Sequence, residues 1–120
     1  MSSERENMAT FREMLSAWQL GDVLKADSLV SPDYIGHVSS GDRNIDGLKE
    51  RISAFKSMYR DAVFQIEDQF AVGEKVVTRM TAHATDAATG KPIRMMGINI
   101  SRFSNARMCE EWATWEVVRA

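Results

Sequence analysis

The sequence predicts an α+β fold in which helices come first and a mostly antiparallel sheet follows, with the helices packed on one of its faces. Three observations carry this. Apolar residues recur at helical spacing only in the first half of the chain. From residue 62 onward, four extended apolar-rich stretches alternate with short turn signals. Helices followed by strands, joined by short turns, suit a layer of helices against an antiparallel sheet.

Ser3-x-x-Glu6 fits a capping box that opens a first helix. Phe11, Met14, Leu15 and Trp18 recur on one face of it, with Met8 a turn earlier, and Gly21 stops the run. Asp22 can cap a short second helix that buries Val23 and Leu24, with Leu29 a further candidate. Ser31-Pro32-Asp33 breaks it. Residues 34–38 form a short extended piece carrying His37, and residues 39–44 a polar loop. Asp46 is the expected cap of a third helix with the stripe Leu48, Ile52, Phe55 and Tyr59. Strands are expected over 62–70, 75–85, 91–103 and 108–118, with turns at Gly73-Glu74, Thr89-Gly90 and Ser104-Asn105.

The last two strands carry apolar residues on both parities. Ile93, Met95, Gly97, Asn99 and Ser101 alternate with Arg94, Met96, Ile98, Ile100 and Arg102, and Trp112 and Trp115 fall on opposite faces. A half-solvated sheet should have a polar face. One face therefore buries against the helices and the other is expected to pair with a second copy of the chain, as a homodimer. On the strand before them, Thr78, Met80, Ala82 and Ala84 form the more apolar set. Arg79, Thr81 and His83 then point outward, with Arg79 expected to pair with Glu110.

Composition narrows the function. The chain has 120 residues, read as a single domain over 1–120, and 44% of them are hydrophobic, enough for one core. A net charge of -2 argues against nucleic acid as a partner. No apolar run reaches the length of a membrane span and no secretory h-region is visible, so a cytoplasmic location is expected. One cysteine, Cys109, excludes an intrachain disulfide, and with only two histidines a structural zinc site is not expected. The methionines are dispersed over helix and strands, which reads as core and pocket filling rather than metal ligation.

The order of short motifs then resembles a known family. Tyr34-x-x-His37 is followed by Asp46-Gly47-Leu48, Tyr59-Arg60-Asp61 and Ile66-Glu67-Asp68. Gly73-x-Lys75-Val76-Val77-x-Arg79-x-Thr81, Gly97-Ile98-Asn99-Ile100-x-Arg102-Phe103 and Glu110-x-Trp112 complete the series. Together they resemble the SnoaL-like polyketide cyclases of the nuclear transport factor 2-like superfamily, which includes the ketosteroid isomerases. The resemblance spans nearly the whole chain and is specific for the family, not for one reaction. It implies a cone-shaped α+β barrel, a curved sheet wrapped around the helices with a deep apolar pocket at the wide end, and dimers through the outer sheet face.

The resemblance also implies which residues line that pocket: Cys109, Glu111, Ala113 and Trp115 from the last strand, Met95 and Asn99 from the strand before it, Met14 and Trp18 from the first helix, and Tyr59 from the third, with His37 at the rim. Three positions depart from the family pattern. Ala113 stands where the cyclases carry a last-strand aspartate, Asn99 where many members carry an aspartate, and Met14 where the isomerases carry a helix tyrosine. The epoxide hydrolases of the superfamily need an Asp-Arg-Asp set, for which only Arg79 is evident.

The remaining candidates for chemistry are Glu111 and His37. A carboxylate projecting into an apolar pocket beside Trp115 is a candidate general acid or base. An imidazole with an ordinary pKa near ~6.5 suits proton shuttling. The two would form an acid/base pair if they share one cavity. Asn99 could polarise a carbonyl through its amide, and Trp18 and Trp115 could supply flat walls for a ring. Cys109 has no base or cation beside it in sequence and reads as a small pocket or core residue. The expected ligand is a small apolar, cyclic carbonyl compound, and the expected activity is cyclase- or isomerase-type acid/base chemistry without cofactor or metal. The alternatives are a non-catalytic binding or accessory protein and an epoxide hydrolase-like enzyme.

Overall fold

A computed structural model describes residues 3–119. Three helices, α1 (Glu4–Leu20), α2 (Val23–Leu29) and α3 (Ile45–Met58), pack against a six-stranded sheet. Its strands are β1 (Val30–Val38), β2 (Gly41–Arg43), β3 (Tyr59–Val72), β4 (Lys75–Asp86), β5 (Pro92–Ser104) and β6 (Arg107–Arg119). The spatial order is β2-β1-β6-β5-β4-β3, antiparallel except for the parallel β1–β6 pair. This is the expected α+β arrangement: an open, curled sheet around the helices.

Local chemistry sets the helix ends. Ser3 and Glu6 form the reciprocal capping box at α1. Gly21 closes that helix at φ 70°, a left-handed conformation that glycine adopts without strain. Asp22 caps α2 by accepting from the Lys25 amide. Asn44, not Asp46, caps α3, its side chain accepting from the Gly47 amide at 3.0 Å. An asparagine is as good a cap as an aspartate, and Asp46 sits inside the first turn, where its charge favours the helix N-terminus.

The core lies between α1, α3 and the concave sheet face. Phe11, Met14, Tyr34, Leu48, Ile52, Met80, Phe103 and Met108 are buried there. A second cluster of Ala62, Ala82, Ala84, Ile93 and Met95 sits toward the other end, with Phe55, Tyr59 and Phe64 packed on it. α2 buries Ala26 rather than Leu24, which is exposed, while Val23 and Leu29 are half-buried. The helix has only two turns, and its small residue allows close approach.

Strand parity follows the expected sets. Thr78, Met80, Ala82 and Ala84 of β4 are buried, as are Ile93, Met95, Gly97, Asn99 and Ser101 of β5. Arg79 and His83 point outward, with Thr81 half-buried on the same face. Arg79 pairs with Asp68 at 2.7 Å and not with Glu110. The cause is the cross-strand register, which sets Arg79 opposite Asp68.

Three features were not expected from sequence. The polar segment 39–44 contains β2, a short edge strand paired with β1. β1 starts at Val30 and runs through Pro32; between Val30 and Ile35 its pairing with β6 is irregular, so the proline interrupts no regular ladder. β3 begins at Tyr59, which follows the end of α3 rather than belonging to it. Bulges bend the sheet. In β3 the extra residue at Glu67 moves the half-buried set from Phe64 and Ile66 to Gln69 and Ala71.

Candidate active site

The concave face and helices α1 and α3 enclose a cavity of about 310 Å³. Met14 and Trp18 reach it from α1, Tyr59 from the start of β3, Met95 and Asn99 from β5, and Glu111, Ala113 and Trp115 from β6. Phe11, Arg51, Phe55, Phe64 and Met80 also line it. Its aromatic wall is continuous: Trp18 meets Phe55 edge-on at 5.6 Å between ring centroids, Phe55 stacks on Phe64 at 5.6 Å, and Phe64 meets Trp115 at 5.9 Å.

Trp115 occupies its place because residue 97 is glycine. A Cβ there would lie 2.5–2.7 Å from the indole carbons, well inside contact distance. Trp115 and Gly97 are directly opposite in the β5–β6 ladder, and so are Ala113 and Asn99.

The polar part of the cavity is a buried chain of side chains centred on Glu111, which is 7% exposed. One carboxylate oxygen accepts the Tyr34 hydroxyl and the other accepts the Asn99 amide at 2.8 Å. The Asn99 carbonyl oxygen accepts the Ser101 hydroxyl, which fixes the amide orientation. Burial and, next, the adjacent Glu111 push the Tyr34 phenol well above its ordinary pKa, so it stays a donor; Arg51 nearby acts in the opposite sense and more weakly. Tyr34 reaches Glu111 across Gly36, where an added Cβ would strike the phenol oxygen.

Arg51 completes the polar set. Its guanidinium lies over the Trp18 ring, 5.2 Å from the centroid, and its Nη1 is buried with no hydrogen-bond partner among the described residues.

Two expected site residues lie elsewhere. His37 is on the outer face of β1, not at the cavity. Alternation along β1 turns Tyr34 and Gly36 inward and Ile35 and His37 outward. The imidazole stacks on Trp112 at 5.2 Å and bonds Asp42 and Glu110, each at 2.8 Å. The hydrogen bonds its ring donates to Glu110 and then to Asp42 raise its pKa, and the same contact lowers that of Glu110. His37 and Glu111 therefore share no cavity. Cys109 is also away from the cavity wall. It is the extra residue of a β-bulge, since Arg102 pairs with Glu110 and Phe103 with Met108. Its thiol donates to the Arg102 carbonyl, and burial raises its pKa.

Tyr34 and Arg51 are the polar side chains of this arrangement that the sequence did not name as site residues, although Tyr34 opens the Tyr34-x-x-His37 motif. Alternation from His37 could have found Tyr34 only once the outward face of β1 was known. Arg51 lies one helical turn before Phe55, on the flank of the apolar stripe.

Comparison with known proteins agrees with this architecture. A model of the SnoaL-like polyketide cyclases matches residues 9–120. The chain belongs to the SnoaL-like polyketide cyclase family. The fold is shared with IdmH, a candidate polyketide cyclase from Streptomyces antibioticus, at TM-score 0.83 and 22% identity, over 92% of this chain and 91% of that one. It is shared with AclR, a candidate hydroxylase from Streptomyces galilaeus, at TM-score 0.86 and 20% identity, over 95% and 77%. TsrD from Streptomyces laurentii aligns at TM-score 0.85 and 20% identity, over 97% and 92%. No curated protein matches the chain by sequence. Among the described residues no helix is long and apolar enough to cross a membrane, and no cluster of three or more His, Cys, Asp or Glu is placed to hold a metal ion.

Proposed function

We propose that the cavity binds a small, flat, mostly apolar cyclic carbonyl compound, and that Glu111 acts on it as a proton acceptor and donor in cyclase- or isomerase-type chemistry. The observation that carries this is a buried carboxylate with both oxygens held, in a cavity whose other walls are largely apolar and aromatic. Asn99 uses one amide N–H on Glu111 and has a second to offer a ligand carbonyl. Glu111 would take a proton from the carbon next to that carbonyl, and the resulting enolate oxygen would rest on donors already in place. Returning the proton at another carbon isomerises the compound; alternatively, attack of the enolate carbon on a second carbonyl breaks its C=O π bond and closes a ring, and Glu111 gives its proton to the resulting alkoxide.

The test is turnover of a panel of cyclic diketones, polycyclic ketones and epoxides. Glu111→Gln is expected to lower kcat by about 10²–10⁴-fold while ligand binding persists. Wild-type-like turnover by Glu111→Gln would overturn the assignment. A second reading, a non-catalytic binding protein, is favoured by Ala113, which leaves no carboxylate opposite Asn99. Binding without turnover by the wild type would select it. The epoxide hydrolase reading is less well supported, because Arg79 is tied to Asp68 on the outer face and, among the described residues, the cavity lining holds no aspartate to form an Asp-Arg-Asp set.

We further propose that the outer sheet face pairs with a second copy. Met96, Ile98, Ile100 and Trp112 are 36–50% exposed there, in a row flanked by the Arg79–Asp68 and Arg102–Glu110 pairs. Such a row suits a self-complementary interface.

A further inference from the structure

The cavity contains a charge that its own walls answer only in part. Arg51 lines it and interacts weakly with the Tyr34 phenol, yet Nη1 of its guanidinium is buried with no hydrogen-bond partner among the described residues. None of the ion pairs among the described residues includes Arg51. The contact with Trp18 fixes the guanidinium's position but supplies no hydrogen-bond acceptor. Glu111, in the same cavity, forms no ion pair with it: its carboxylate is held by Tyr34 and Asn99. A buried donor on a permanent cation is costly to leave unmet. The cost is removed when a ligand brings an anionic oxygen to that place.

We propose that Arg51 is the recognition site for an anionic oxygen group, a carboxylate or a stable enolate, carried by the ligand on the ring that lies against Trp18. This rests on the cavity being the ligand site and adds a charge requirement to it. A planar guanidinium favours a planar, two-oxygen acceptor, and here it is beside an aromatic face on which a ring can stack. The ligand would then be held at two places: its anionic group at Arg51, and its reacting carbonyl at Asn99 and Glu111.

The probes are 2-naphthoate and its methyl ester, which present the same ring with and without the charge. Calorimetric titration of the full chain is expected to show the acid binding at least about tenfold more tightly than the ester, with the preference falling as salt rises. Arg51→Met is expected to weaken the acid about tenfold and leave the ester unchanged. Arg51→Lys should keep part of the preference, since it retains a charge without the fork; circular dichroism checks that both variants fold. Equal binding of acid and ester by the wild type would overturn this inference and leave the proposed ligand class standing. Equal weakening of both probes by Arg51→Met would do the same. Binding of neither probe would overturn this inference together with the reading of the cavity as a site for flat cyclic ligands.

Discussion

Gly36 and Tyr34 show how one missing side chain positions another. The phenol lies over the glycine and reaches Glu111 on the neighbouring strand. Gly36→Ala forces the phenol aside, and a cost of about 1–3 kcal/mol is expected from the overpacking. Tyr34→Phe removes the donor and leaves a buried carboxylate oxygen unmet, at a cost of about 1–3 kcal/mol. Urea denaturation measures both, and a midpoint unchanged in Tyr34→Phe would show that the contact contributes nothing to stability. Ala113→Asp places a second carboxylate opposite Asn99 and within the same cavity as Glu111. Two like charges there destabilise the fold above the ordinary carboxylate range, so its midpoint should drop between pH 4 and pH 7 relative to the wild type.

At the scale of the element, β1 carries two environments two residues deep. Its inward face sends the Tyr34 hydroxyl to Glu111 and its outward face holds His37 between Asp42 and Glu110. The folded state raises the His37 pKa from 6.5 and lowers that of Glu110 from 4.5. The histidine contribution is therefore complete below 6.5 and is lost as pH rises through the higher folded value. The Glu110 contribution is complete above 4.5 and is lost as pH falls through the lower folded value. Both act together between these two ordinary values, so His37→Gln should lose most stability there and least at alkaline pH. Thermal melts of both proteins from pH 3 to 9 give the comparison; parallel curves would remove the contact from the stability balance. β1 also marks where sequence reading fails. The family resemblance put His37 at the cavity rim, and a segment of five residues gives too few alternations to have corrected it. The bulge at Cys109 leaves no sequence signal, since one extra residue looks like any other.

Across the whole molecule, the long strands were legible as strands because extended apolar-rich stretches alternate with short turn signals. Both parities of the last two carry apolar residues, so alternation alone chooses no face, and Asn99, Glu111, Ala113 and Trp115 were placed on the cavity side by the family resemblance. Arg51 was not, because a charged residue on the flank of a helical stripe reads as solvated until the fold closes over it. The outer face makes its own prediction. Sedimentation should find a dimer, and Ile98→Lys should shift it to monomer without altering the cavity, which lies across the sheet; a monomeric wild type would remove the pairing proposal. The three tryptophans are divided by the same sheet. Trp18 and Trp115 border the cavity and Trp112 faces the other side. The chain thus carries optical reporters on both surfaces, with Trp18 on the cavity, Trp112 on the outer face and Trp115 bordering both. In a Trp112→Phe protein the remaining indoles both border the cavity, so a guest there would change their emission, and occupancy could be followed without a label and without knowing the reaction.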